Sequence, residues 1–416
     1  MRNGFTMWLI AFLLILLDLY FFQAVKTVTQ NLTPFFKGCL QIFYWGITAL
    51  AIISLFSLPH IQSLQANKLF RTYVFSFIIG LCLAKLLGSM FFLVDDIRRF
   101  FLFIGHKFTS TPSFNSGTSS VNTISRSTFI SWLGIAVGST LFGTLLYGFS
   151  NKYNYQIKRI RLSFKNLPQN FKGLKIVHIS DIHSGSFNNK IAVNKGIDKI
   201  LKENADLILF TGDLVNDRYE EMHEYKDIFS RLDAPMGVYS TLGNHDYGDY
   251  MRWESEEAKQ VNLENLKSLQ KQMGWKLLMN EHVIFEREGE KIALLGIENF
   301  GAKGNFPKYG KMNLAYPGTE TISFKILMSH DPSHWEYQVL KEYKDIDLML
   351  SGHTHGMQFG IENPYFRWSP VQWMYKQWAG LYEVGKQKLY VNRGFGFIGY
   401  PGRVGILPEI TVIELV

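Results

Sequence analysis

The sequence predicts an α/β domain preceded by an all-α region of four transmembrane helices, and three observations carry that reading. Apolar runs long enough to cross a bilayer are confined to the first 150 residues. Beyond them, short apolar strands alternate with helical stretches, the pattern of parallel β-α-β units. Five of those strands end in a loop carrying Asp, Asn or His.

At 416 residues the chain holds two or three domains of roughly 100–200 residues. A mean hydropathy of zero averages two unlike halves. The two cysteines, Cys39 and Cys82, both fall in apolar runs. That excludes a disulfide framework and a Cys-type metal site, so any metal falls to His, Asp, Asn or Glu. The net charge of +8 suits an acidic partner, such as a phosphorylated substrate or an anionic membrane surface. Juxtamembrane lysine and arginine would account for it equally well.

Within residues 1–150, the membrane domain, the expected spans are Phe5–Val25, Gly38–Leu58, Thr72–Val94 and Thr128–Phe149. The first lacks a small-residue cleavage site and is too long for a signal-peptide core, so it is expected to be retained. A Ser/Thr/Asn-rich stretch from Thr109 to Ser127 reads as a flexible linker. Four spans place both ends on one side. Lys and Arg favour that side by eight to six, which leans toward a cytoplasmic C-terminal domain on a multi-pass inner-membrane protein. Asp18 and Lys85 each lie thirteen residues into spans of the same direction, and isolated charges there are costly. They are expected to pair, the alternative being that each faces water separately.

Residues 151–170 read as a basic juxtamembrane linker, and 171–416 as the soluble domain. Strands are expected at Leu174–Ile179, Asp206–Phe210, Gly237–Thr241, Phe324–Met328 and Ile346–Leu350, with a helix from Asn189 to Glu203. Trp275–Glu288 and Lys291–Ile297 read as an antiparallel ribbon, and strands near Lys388–Val391 and Ile410–Val416 close the domain. The segment Leu242-Gly243-Asn244-His245-Asp246 is either a hydrogen-bonded turn or part of a site, and alone it favours the turn. Four other strand ends change the balance. Asp181, His183, Asp213, Asn244, His330, His353 and His355 all fall after strands. Seven oxygen and imidazole donors exceed the three or four a single catalytic ion needs, and suit two divalent ions such as Mn, Fe or Zn. If the backbone is extended at Asp181-x-His183 and His353-x-His355, alternate residues point to one cluster.

Together, Asp181-x-His183, Gly212-Asp213, Gly243-Asn244-His245-Asp246, Ser329-His330 and Gly352-His353-Thr354-His355 resemble the calcineurin-like metallophosphoesterase superfamily, in its motif order. The resemblance implies a four-layered β-sandwich flanked by helices. It implies that Asp181, His183, Asp213 and His355 hold one metal, and that Asp213, Asn244, His330 and His353 hold the other. Asp213 and a hydroxide would bridge the two ions. By the same motifs His245 would protonate the leaving oxygen, and Asp246 would orient His245. The tail, Tyr390-Val391-Asn392-Arg393-Gly394 through Arg403 to Pro408-Glu409-Ile410, resembles a bacterial membrane-associated subgroup, the YkuE/YaeI-like phosphoesterases. Some of its members act on phospholipid-type or UDP-diacylglucosamine substrates. Where that pattern has a second glycine after His-Gly, this chain has Met357.

From Glu362 to Glu383 the chain carries Trp368, Trp373 and Trp378 among Tyr365, Phe366, Met374 and Tyr375. This is either an interfacial lid admitting a lipid-linked phosphate or an aromatic patch on the domain's own core. Lys303, Lys308 and Lys311 read first as solvated surface, and second as an attractor of phosphate. The expected function is a membrane-anchored binuclear phosphoesterase, cleaving a phosphomonoester or phosphodiester of a lipid-linked substrate. Its expected partners are that substrate and the membrane, not nucleic acid. The alternatives are a soluble nucleotide or phosphoprotein substrate, a non-catalytic membrane sensor or scaffold, and a transporter built on the four spans.

Overall fold

The computed structural model describes residues 2–57, 61, 67–108, 125–304 and 306–416. All but the last three residues of the linker expected at 109–127 lie outside these. The chain divides into two compact units, Met1–Tyr147 and Gly148–Val416.

The first unit is built from helices α1 (Arg2–Val28), α2 (Pro34–Ser57), α3 (Lys68–Phe108) and α4 (Arg126–Asn151). Each is long and apolar enough to cross a membrane. Helix α3 runs fourteen residues past the expected Val94, because Asp95 is covered by Arg98 and Arg99 one turn further on. Small residues let α3 and α4 approach closely. A Cβ at Gly88 would sit 2.7 Å from the Gly134 carbonyl oxygen, and one at Gly138 would sit 2.6 Å from that of Ala84.

Asp18 and Lys85 form an ion pair, buried between α1 and α3. Thr48 donates a hydrogen bond to the same carboxylate, and the Tyr44 hydroxyl lies 3.0 Å from the Asp18 carbonyl oxygen. The Lys85 ammonium also stands 4.7 Å from the centre of the Tyr44 ring. Three helices are thereby tied at one depth.

The second unit begins with a strand that sequence reasoning read as linker, β1 (Gln156–Leu162). Then come β2 (Lys175–Ile179), β3 (Leu207–Phe210), β4 (Val238–Ser240), β5 (Lys276–Leu277), β6 (Glu281–Arg287) and β7 (Glu290–Gly296). They are followed by β8 (Phe324–Met328), β9 (Leu348–Ser351), β10 (Ile361–Glu362), β11 (Arg367–Trp368), β12 (Gly380–Val384), β13 (Gln387–Val391) and β14 (Glu409–Leu415). Two six-stranded sheets result, in the orders β1-β14-β2-β3-β4-β5 and β12-β13-β9-β8-β7-β6. The expected ribbon is narrower than Trp275–Glu288: β6 pairs antiparallel with β7, while β5 joins β4 in parallel. A left-handed residue, Asn280 (φ 62°), separates β5 from β6.

Strand alternation builds the layers. Ile176, Leu207, Leu209 and Ile413 of the first sheet meet Leu294, Ile326, Leu348 and Leu350 of the second in one core. The opposite faces, Val177, Ile208 and Phe210 on one sheet and Leu295, Leu327 and Met349 on the other, are covered by helical segments. On the first sheet, helix α5 (Lys190–Leu201) is capped by Asn189 and buries Val193, Ile197 and Ile200. Helix α6 (Glu256–Gln272) is capped by Ser255 and buries Leu266 and Leu269. The architecture is a helix–sheet–sheet–helix sandwich of four layers. The plain α/β reading and the four-layer form implied by the motifs meet here, since each sheet is parallel at its centre.

The membrane pair yields a test. Asp18→Ala or Lys85→Ala leaves a buried charge unpaired and is expected to destabilise the chain in detergent by about 3 kcal/mol. The double variant should cost less than the two single losses together in thermal unfolding; additive losses would show that the pair does not act as one.

Candidate metal centre

The motif residues stand where strands give way to loops. Strand β2 leads into Asp181 and His183, β3 into Asp213, β4 into Asn244, β8 into His330, and β9 into His353 and His355. Within each sheet these strands run parallel, so their carboxyl ends open on one edge.

The backbone turns there by left-handed residues rather than by the extended alternation expected. Asp181 (φ 53°), His183 (48°), Asp213 (62°), His353 (69°) and His355 (50°) all have positive φ. Such conformations cost of order 1–3 kcal/mol each and persist only where the surroundings impose them. The intervening Ile182 is fully buried in the helix-side core, which fixes the loop from below. Two glycines complete the turns: a Cβ at Gly352 would strike Ser180 and the Asp181 carboxylate, and one at Gly243 would strike Asp213.

These loops gather the donors into two clusters. In the first, His355 Nε2 lies 3.2 Å from Asp181 Oδ1 and 3.1 Å from His183 Nε2. In the second, Asn244 Oδ1 lies 3.1 Å from His330 Nε2 and 2.8 Å from His353 Nδ1. Asp213 stands between them, its Oδ2 3.2 Å from His330 Nε2 and 3.5 Å from His183 Nε2. All seven side chains meet, and six of them are fully or nearly fully buried.

Burial holds the imidazoles of His183, His353 and His355 below the usual histidine range, hence neutral and able to ligate. His330 is the exception: burial opposes its charge, but the Asp213 carboxylate raises it to about 10. Burial works against Asp181 and Asp213 too, yet neighbouring histidines hold both well below the ordinary carboxylate range.

The structure corrects one expected role. Asp246 does not touch the His245 ring. Its carboxylate accepts four backbone N–H bonds, from Gly243 (2.9 Å), Asp213 (2.9 Å), Leu214 (2.8 Å) and Val215 (3.3 Å). Burial, reinforced by the Asp213 charge, pushes Asp246 up to about 7. The carboxylate clasps the loop after β3 to the loop after β4. His245 is oriented instead by the Asn216 carbonyl, 2.8 Å from its Nδ1. A carbonyl only accepts, so Nδ1 carries the hydrogen and Nε2 is free toward the clusters.

Two family models match the chain: "Calcineurin-like phosphoesterase" over residues 174–357, and "Probable Calcineurin-like phosphoesterase, transmembrane domain" over residues 1–152. Over 257 residues the chain is 31% identical to the metallophosphoesterase YkuE of Bacillus subtilis, covering 60% of this chain and 81% of that protein. The chain belongs to the calcineurin-like metallophosphoesterases. It is also 30% identical over 263 residues to a zebrafish (Danio rerio) transmembrane protein with metallophosphoesterase domain, covering 62% of this chain but only 56% of that one. Identity to the UDP-2,3-diacylglucosamine pyrophosphatase LpxG of Chlamydia muridarum is 27% over 289 residues, covering 58% of this chain and 84% of that protein.

Calcineurin-like phosphoesterases are hydrolases that use two divalent metal ions, and the donors here fit such a pair. They form two groups of hard oxygens and imidazoles, with a carboxylate between and no thiolate. His330 donates its Nδ1–H to the Thr211 carbonyl at 2.7 Å, which turns Nε2 toward Asp213. With its four apolar N-terminal spans, this metallophosphoesterase is a multi-pass membrane protein.

Several supporting groups lie outside the five metal-site motifs. Arg403, fully buried, reaches His355 Nδ1 at 3.2 Å and the carbonyl oxygens of Arg393 and Gly396. The tail that marked the membrane-associated subgroup thus runs under the first cluster. Gly394 passes so close that a Cβ would lie 2.9 Å from His355 Nδ1. Met357, where the subgroup pattern has glycine, adopts φ 54° and is exposed. That left-handed conformation explains the glycine preference.

Removing the Asp246 carboxylate strands four N–H donors, so Asp246→Ala is expected to cost at least about 3 kcal/mol in thermal unfolding. Asp246→Asn, which keeps one acceptor oxygen, should cost less; equal and small effects would show that the clasp is dispensable.

Proposed function

We propose that this chain hydrolyses a phosphomonoester or phosphodiester bond of a lipid-linked substrate at the membrane surface. One observation carries the reading: the aromatic segment beside the metal centre is divided between core and solvent. Val371, Tyr375, Trp378 and Ala379 are buried with Ile406, and the Thr354 hydroxyl, inside the His353-Thr354-His355 motif, donates to the Trp378 carbonyl at 2.6 Å. From that anchored base Trp373 (76% exposed), Tyr365 (98%), Phe366 and Met374 project outward. Its inward residues are thus a patch packed on the domain's own core, and its outward residues support the interfacial reading. Lys303 is not merely solvated: it donates to the Met374 carbonyl at 2.9 Å and stands over the Tyr375 ring. Exposed aromatics flanked by Arg367 and Lys376 suit a membrane–water interface. The likeness to LpxG, named for a lipid substrate, supports the same class.

In this reading Asp181, His183, Asp213 and His355 hold one ion, and Asp213, Asn244, His330 and His353 the other. Bound there, the ions would supply Lewis acidity toward the phosphate and an activated water. The chain's own contribution is positional. Asn244 adds a neutral ligand and so no charge against the incoming anion. His245, half-buried with its ring centre 5.0 Å from that of His183, presents Nε2 to exchange a proton with the leaving oxygen.

His245→Ala is expected to lower kcat for manganese-supported hydrolysis of bis-p-nitrophenyl phosphate by about 10²- to 10⁴-fold, with metal content unchanged. Equal rates would remove His245 from the mechanism. Trp373→Ser combined with Met374→Ser separates the substrate classes. It is expected to lower kcat/KM about tenfold for UDP-2,3-diacylglucosamine in mixed micelles while sparing the soluble ester. A uniform effect, or activity confined to soluble nucleotides and phosphoproteins, would overturn the lipid-linked reading.

A further inference from the structure

The ligands of the two clusters are held in place by different means. In the first, the supports are rigid parts of the fold: Arg403 reaches His355, and the His353 backbone N–H donates to both Asp181 oxygens, at 3.1 and 3.0 Å. In the second, the Thr211 carbonyl fixes His330, but the other two ligands rest on tyrosine hydroxyls from segments outside every motif.

Tyr375 is 3% exposed, and its hydroxyl lies 3.1 Å from Asp331 Oδ2 and 3.0 Å from His353 Nε2. Asp331 is fully buried and only accepts as a carboxylate, so the phenol donates to it. The phenol oxygen then accepts from His353 Nε2–H. That relay fixes the tautomer: Nδ1 keeps its lone pair, and it is Nδ1 that faces Asn244 Oδ1 and His330 Nε2, at 2.8 and 3.3 Å. Phe306 presses edge-on against the same ring, 4.6 Å between centres, and closes its other side.

Tyr250 does the equivalent for the amide. Its hydroxyl takes a hydrogen bond from Asn244 Nδ2 at 2.8 Å, and its ring lies 4.6 Å from that of His245. An asparagine amide has two faces that differ only in which atom leads. Binding Nδ2 on one side turns Oδ1 to the other, where His330 Nε2 and His353 Nδ1 converge. Without that bond the amide is free to rotate and offer a donor to a cation.

We propose that Tyr375, through Asp331, and Tyr250 are positioning residues that set the affinity of the second metal ion independently of the first. Outer partners of metal ligands typically alter affinity 10–100-fold. The inference rests on the two-ion reading of the centre but not on the identity of the substrate.

The test is a manganese titration of the full chain in detergent, after chelation, with no substrate present. Binding is read by competition with a metal indicator, and spin coupling between paired ions by electron paramagnetic resonance. In Tyr375→Phe and in Tyr250→Phe the first equivalent should bind as in the parent chain. The second should weaken tenfold or more, and the coupled-pair signal should give way to that of isolated manganese. Asp331→Asn should reproduce Tyr375→Phe. Tyr250 is 49% exposed, so Tyr250→Phe keeps the test open if Tyr375→Phe fails to fold. Two equivalents of unchanged affinity would overturn the proposal, and so would parallel weakening of both. A failed lipid-hydrolysis assay would leave this result standing, because no substrate enters the measurement.

Discussion

Seven polar donors have to be kept within a few ångströms of one another in a deeply buried place, and the second unit is arranged around that constraint. Two carboxylates, Asp181 and Asp213, would repel each other and resist burial if left alone. They are instead surrounded by four imidazoles and by backbone N–H groups. Loops could not impose such crowding unaided. Two sheets sharing one apolar core hold their strand ends at a common edge, and five left-handed residues bend the chain inward there. The strain is tolerable because each bend is pinned on both sides. Gly212 accepts the Asp181 N–H, Asp213 accepts the His183 N–H, and Asp246 ties the β3 and β4 loops together.

Much of the site was legible in the sequence because metal chemistry restricts residue type, and strand ends restrict position. The Asp, Asn and His residues following apolar strands were recognisable without any contact information, and the structure brings those seven together. Backbone handedness was not legible: nothing in Asp181-Ile182-His183 distinguishes an extended dipeptide step from two left-handed residues. Asp246 misled because a carboxylate next to a histidine resembles its orienter. The short turn His245–Tyr247 carries it back toward Gly243 instead. Strand β1 was missed because Lys158, Arg159 and Arg161 look like a membrane flank. Its partner β14 lies some 250 residues away, and Arg161 finds Glu414 only across that pairing.

The aromatic segment links two requirements that are usually served by separate parts of a protein. Its inward residues belong to the metal centre, through the Tyr375 hydroxyl and the Thr354–Trp378 bond, while its outward residues face solvent. Met374, exposed, is followed directly by Tyr375, buried. Any force that displaces the outer surface is therefore transmitted to His353 through one side chain. The Lys303 bond to the Met374 carbonyl restrains that movement from the neighbouring loop.

The placement of β14 has a consequence for assembly. It is the last strand in chain order, yet it lies inside the first sheet, parallel to β1 on one side and antiparallel to β2 on the other. During synthesis the edge of β2 stays unpaired until more than two hundred further residues have been made. Long-range pairing of this kind is slow and leaves an edge open to wrong partners. Arg403 and Glu409, which support the first cluster and its surroundings, arrive with the same late segment. The donors of that cluster thus gain their support only as the sheet closes, which reserves a formed centre for chains that have completed the fold.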